Sequence, residues 1–147
     1  MKKKLFIMLF MLTTIAVTIV VGFRYYSTQK QEKYATTAVP YLLKVIPELS
    51  KWDPVIARDY MSEEFMQSTS PADFANALKG LSRVGQLESL GVPQFEEIYT
   101  DNRQSIISYK VSAKYTTGAA EITIAILDQK NDFSVYRFNV RSAALAR

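Results

Sequence analysis

The sequence predicts an α+β protein: an N-terminal transmembrane helix, then about three helices packed on a curved antiparallel sheet of four to five strands. Three observations carry this. A charge-free run covers Leu5 to Phe23. Between residues 28 and 85, apolar residues recur at spacings of three and four, the period of a helix with one buried face. From residue 86 onward the period becomes two, that of strands. Helices gathered in one half and strands in the other argue for α+β rather than an alternating fold.

The chain divides into a basic end (1–4), an anchor (5–23), a juxtamembrane helix joining the domain (24–50), an α+β domain (51–141) and a tail (142–147). The anchor is nineteen residues, LFIMLFMLTTIAVTIVVGF. At 1.5 Å per residue it spans about 28 Å, close to a bilayer's hydrocarbon core. Arg24, Tyr25 and Tyr26 follow it, residue types suited to the interface. Lys2, Lys3 and Lys4 hold the short end in the cytoplasm, so the body is expected outside a bacterial inner membrane. The competing expectation is a signal peptide cleaved near Val20-Val21-Gly22, which would leave a periplasmic or secreted body. Thr14, Thr18 and Gly22 form a small-residue stripe on which two anchors could pair.

In the juxtamembrane helix, Tyr34, Ala38, Leu42, Val45 and Leu49 share one face. Pro40 removes the donor for the Thr36 carbonyl and is expected to kink or restart the helix, and Pro47 to help end it. Asp53-Pro54 opens a short helix to about Met61, with Val55, Ile56 and Tyr60 as buried candidates. A further turn covers 63–67. Ser70-Pro71-Ala72-Asp73 is a capping sequence. It leads into a stripe of Phe74, Ala77, Leu78, Leu81 and Val84, which Gly85 ends.

Residues 86–90 make a short strand broken at Gly91-Val92-Pro93, and 95–100 a second piece. Asp101-Asn102-Arg103 turns the chain. Residues 105–115 then alternate, with Ile107, Tyr109, Val111, Ala113 and Tyr115 on one face. After Thr117-Gly118, Ala120, Ile122, Ile124 and Ile126 face the same way. Pairing Tyr115 with Ala120 aligns the apolar sets and sets Lys114 opposite Glu121. In the last strand Phe133 and Val135 have one parity and Tyr136, Phe138 and Val140 the other, so a β-bulge is expected near Tyr136–Arg137. The tail is expected to fray.

The order of helices, then a kinked strand around Gly85-Gln-Leu-Glu-Ser-Leu-Gly91, then long strands ending in Phe133-Ser-Val-Tyr-Arg-Phe-Asn-Val140, resembles the cone-shaped fold of the nuclear-transport-factor-like and cystatin-like groups. With its anchor, the chain also resembles the periplasmic assembly-factor domain of type IV secretion systems. The resemblance implies a cone whose members include ligand binders and isomerases that use a tyrosine and a carboxylic acid.

Composition narrows the chemistry. The 147 residues include no His and no Cys. Histidine triads, thiol nucleophiles, disulfides and Cys- or His-held metals are therefore excluded. The net charge is +4, but three of the basic groups are Lys2–Lys4. The near-neutral body lacks the basic stripe of a nucleic-acid binder. No cofactor is expected. Tyr109, Tyr115 and Tyr136 are inward candidates for a proton-transfer pair with Asp59, Asp73 or Asp128, although capping and turn roles account for Asp73 and Asp128. Glu63-Glu64 and Glu96-Glu97 are neighbours that point apart on a regular element. Arg137, Arg141 and Arg147 make a mildly basic end.

The expected function is a membrane-tethered, non-enzymatic envelope module that binds or assembles with a protein partner or itself. Its partner face would comprise Ile106, Lys110 and Leu127 on the outer side of the sheet. The alternative is a small apolar ligand held between helices and sheet by Phe74, Leu78, Tyr109, Val111, Ile124 and Phe138.

Overall fold

A computed structural model describes the backbone of residues 2–130 and 132–146. It describes the side chains of Thr18, Ile19 and all of these residues from 28 onward. The chain divides into two units, 1–36 and 37–147. One helix, α1 (Lys2–Leu49), accounts for the first unit and enters the second. Its run through Pro40 and Pro47 corrects the expected restart. The carbonyls these prolines deprive of a donor belong to Thr36 and Leu43. Both residues are exposed, where a carbonyl without its helical donor can be solvated. Among the described residues no helix is long and apolar enough to cross a membrane. The side chains of the expected anchor, 5–23, lie outside the described residues except for Thr18 and Ile19.

In the second unit Ala38, Leu42, Val45, Ile46 and Leu49 are buried. Trp52 then adopts a positive φ of 59°. Its ring lies 5.8 Å from that of Tyr115, and its indole N–H donates to the Gly85 carbonyl at 2.8 Å. Three short helices follow: α2 (Pro54–Arg58), α3 (Glu63–Ser68) and α4 (Pro71–Leu81). Each has a side-chain cap. The Asp53 carboxylate accepts from the Val55 amide, the Ser62 hydroxyl from that of Phe65 and the Ser70 hydroxyl from that of Asp73. The Ser70 hydroxyl also donates to the Asp73 carboxylate at 2.6 Å, so the predicted box closes through side chains. Two burial expectations are corrected. Val55 is 72% exposed, because Ala57 is the buried residue of α2. Ala77 is exposed, because Phe74 and Leu78 suffice to seat α4.

The sheet has five antiparallel strands: β1 (Leu87–Leu90), β2 (Gln94–Asp101), β3 (Gln104–Tyr115), β4 (Gly118–Asp128) and β5 (Phe133–Ser142). The order is β1-β3-β4-β5, and β2 also pairs with β3. Thus β1 and β2 act as one edge strand bent at Gly91-Val92-Pro93. The inner face, Ile107, Tyr109, Val111, Ala113 and Tyr115 with Ile122, Ile124 and Ile126, is buried against the helices.

The β3–β4 register differs from expectation by two residues: Tyr115 pairs with Gly118 and Val111 with Ile122. A two-residue shift preserves every parity, so the apolar pattern cannot detect it. The turn decides instead. Thr116 and Thr117 form a two-residue loop tethered from outside the hairpin, the Thr117 hydroxyl donating to the Val84 carbonyl at 2.7 Å and the Thr116 amide to the Gln86 carbonyl at 2.9 Å. Lys114 consequently pairs with Glu88 at 3.0 Å, not with Glu121. The predicted bulge is present. Ala125 pairs with Arg137 and Ile126 with Val135, leaving Tyr136 as the extra residue. Two further bulges leave Glu88 and Glu96 unmatched. The tail does not begin to fray at Ser142: a 3₁₀ turn (Ala143–Leu145) follows, and the Ser142 hydroxyl caps it.

Candidate functional site

The inner-face candidates are core. Phe74, Leu78, Tyr109, Val111 and Ile124 are at most 4% exposed, and Phe138 is half-buried. Neither described groove is lined by any of the six. Burial pushes the Tyr109 phenol up to about 12. Burial also raises the pKa of Tyr115, against a hydrogen bond of 2.9 Å between its phenol and the Ser50 hydroxyl.

None of the expected tyrosine–aspartate combinations is made by a described hydrogen bond. Asp73 serves in its cap and Asp59 lies at the end of α2. Tyr136 is not inward. Its bulge turns it to the outer face, where its phenol donates to Asp101 at 3.1 Å. That bond is the first cause of its raised pKa.

The expected partner face is also corrected. Ile106 and Leu127 are 0% and 1% exposed. With Ala125 they form a second small core on the outer side of the sheet, against which Tyr99 and Tyr136 pack. Neither aliphatic side chain is presented to a partner. Lys110 does stand at the surface, ion-paired to Glu96 at 3.0 Å and 4.0 Å from Glu121. Its pKa is raised, first by the hydrogen bond it donates to Glu96 and then by the charge of Glu121. Of the anchor stripe, Thr18 is exposed, and the side chains of Thr14 and Gly22 lie outside the described residues.

Two grooves remain. One, about 600 Å³, is lined by Pro47, Ser50, Lys51, Trp52, Gln86 and Leu87 among others. Three of its polar groups are already engaged: Ser50 with Tyr115, Trp52 with Gly85, Lys51 with Glu48 at 2.7 Å.

The other, about 380 Å³, lies on the outer face and is lined by Glu96, Glu97, Tyr99, Ser108, Thr123, Ala125 and Arg137. Register explains it. Glu97 pairs with Ser108, Ser108 with Ala125 and Ala125 with Arg137, so the four form one row across four strands. The bulge at Glu96 sends two successive glutamates toward this face, which a regular strand would not do. Glu96 is held by Lys110 and accepts from the Ser108 hydroxyl at 3.3 Å. Among the described residues the side chains of Glu97 and Arg137 have neither an ion-pair nor a hydrogen-bond partner. Sequence reasoning passed over Glu97 because it assumed an unbroken β2. The signal that could have found it is the spacing of Phe95 and Ile98, three residues apart yet both opposite inner-face residues, Tyr109 and Ile107.

No family model matches the chain, and no curated protein matches it. A solved chain titled Rd1NTF2_05, in a substituted form, is similar at 10% identity, over 76% of this chain and 99% of that one, with a TM-score of 0.39. A likeness of this depth assigns neither family nor function.

Proposed function

We propose that the chain is a membrane-tethered, non-enzymatic binding or assembly module of the bacterial envelope, with its domain on the extracytoplasmic side. The observation that carries the reading is the contrast between the two sheet faces. The inner face is closed by packed apolar side chains, whereas the outer face keeps an open groove with unspent charges at Glu97 and Arg137. Tyr109, Tyr115, Tyr136 and Lys110 all hold their protons more tightly than usual. None of these four supplies a general base near neutral pH. Residues 5–23 provide the tether, and Lys2–Lys4 set its orientation. Tethering raises local concentration, so a weak surface suffices. The alternative, an apolar ligand between helices and sheet, would require the buried set around Tyr109 to open.

The test is photo-crosslinking in intact cells from positions 97 and 110, with position 55 as an exposed control on the helical side. The reading expects a discrete adduct from 97 and 110, absent from 55, in a membrane fraction that resists alkaline carbonate. A chain that washes off the membrane, or adducts from position 55 alone, overturns it.

A further inference from the structure

The outer groove has a chemistry more specific than a mixed surface. Its row places a carboxylate at one end, Glu97, and a guanidinium at the other, Arg137. Three strand spacings separate their backbones, about 14 Å. The floor between them is Ser108 and Ala125, the two smallest side chains lining the groove. Thr123 stands along one side and the Tyr99 ring along the other.

Across the adjoining strands Glu96, Lys110, Glu121 and Arg141 alternate in sign, with Glu96–Lys110 at 3.0 Å, Lys110–Glu121 at 4.0 Å and Glu121 opposite Arg141 in register. The four charges sum to zero, and the first three are ion-paired. Outside this ladder the trough holds a negative and a positive group at its opposite ends, not bonded to each other. A monovalent cation or anion would satisfy one end and leave the other bare. A molecule carrying both charges at its two ends satisfies both and adds no net charge.

We propose that this groove binds a small linear zwitterion, its ammonium group at Glu97, its carboxylate at Arg137 and its methylene chain spanning the trough beside Tyr99. The Arg137 guanidinium offers paired N–H donors that match a carboxylate. Glu96, already held by Lys110 and Ser108, stands beside Glu97 and adds negative potential at the ammonium end. The proposal rests on the reading of the outer face as the binding surface and adds the ligand class to it.

The probe is 6-aminohexanoate, an ammonium and a carboxylate joined by five methylenes. It is titrated into the full chain in lipid nanodiscs, with the ¹³C-methyl signal of Ala125 as the readout. The expected result is a saturable shift of that signal. Hexylamine and hexanoate, each with one charge, are expected to bind at least tenfold more weakly. Glu97→Gln and Arg137→Gln, both at exposed positions, are each expected to weaken binding at least tenfold while leaving the sheet's circular dichroism unchanged. Exchanging the charges, Glu97→Arg together with Arg137→Glu, is expected to restore binding, because a linear zwitterion can reverse in the groove.

An absent shift, equal binding of hexylamine, or no rescue by the exchanged pair overturns the proposal. If the zwitterion fails while crosslinks from positions 97 and 110 persist, the ligand class is wrong and the outer face still serves a protein. If both fail, the binding reading itself falls.

Discussion

Single residues decide how the sheet joins the helices. Gly85 has a φ of 87°, and a Cβ there would collide with the Thr116 hydroxyl. Gly85→Ala is expected to cost about 2–3 kcal/mol, from the left-handed backbone and the overlap together. Thermal denaturation measures the loss, and Thr116→Ala in the same chain should recover part of it by removing the obstruction. Tyr109 gives a prediction in pH. Its folded-state pKa of about 12 exceeds the ordinary 10. The native state therefore binds the proton more tightly, and the stabilisation is complete below about pH 10. It is lost as pH rises from there through the folded value near 12. Alkaline unfolding of Tyr109→Phe should show a shallower decline over that window, and an unchanged slope would count against the burial argument.

The elements owe their shape to turns and bulges. At the β2–β3 hairpin Asn102 and Arg103 both have positive φ, 47° and 65°. A two-residue loop of this kind favours Asn followed by Gly. Arg103→Gly is expected to raise stability by about 0.5–1 kcal/mol, read from the denaturant midpoint. The bulge at Tyr136 does a different job: it supplies an aromatic cover for Ile106, Ala125 and Leu127. Tyr136→Ala should lower the melting temperature and increase binding of a hydrophobic dye. Tyr136→Phe should retain most of the stability, since it loses only an exposed bond to Asp101. Equal losses in the two variants would show that the hydroxyl, not the ring, matters.

At the scale of the whole molecule, the proposed tether assigns the domain its compartment. Replacing Ile15 and Ile19 by lysine puts two charges in the middle of the apolar run. Each costs about 2.5–3.5 kcal/mol of insertion. The variant is expected to leave the membrane fraction, while the unmodified chain stays in it and its domain is cleaved by protease added outside spheroplasts. Retention of the variant, or protection of the domain, would remove the tether from the proposal. Ligand binding at the outer groove should be unaffected by the anchor change, because all of its residues lie on four strands of one sheet.

Local chemistry was legible in the residues themselves. Ser70 and Asp53 cap where their spacing places them, and the strand parity of 109–115 separates core from surface. The slip between Val135 and Tyr136 announces its bulge because apolar residues stand on both sides of it. These features depend on neighbours a few residues away, which a linear pattern records. The rest required partners far along the chain. Pro40 does not end α1, and Thr36, whose carbonyl it leaves without a donor, is exposed. The hairpin register follows tethers from Val84 and Gln86 that no periodicity encodes. Ile106 and Leu127 are covered by Tyr99 and Tyr136 from two other strands. The candidate groove depends most on such contacts. Glu97, Ser108, Ala125 and Arg137 come from four strands, and only the paired registers, with one bulge at Glu96 and another at Tyr136, bring them into a single row.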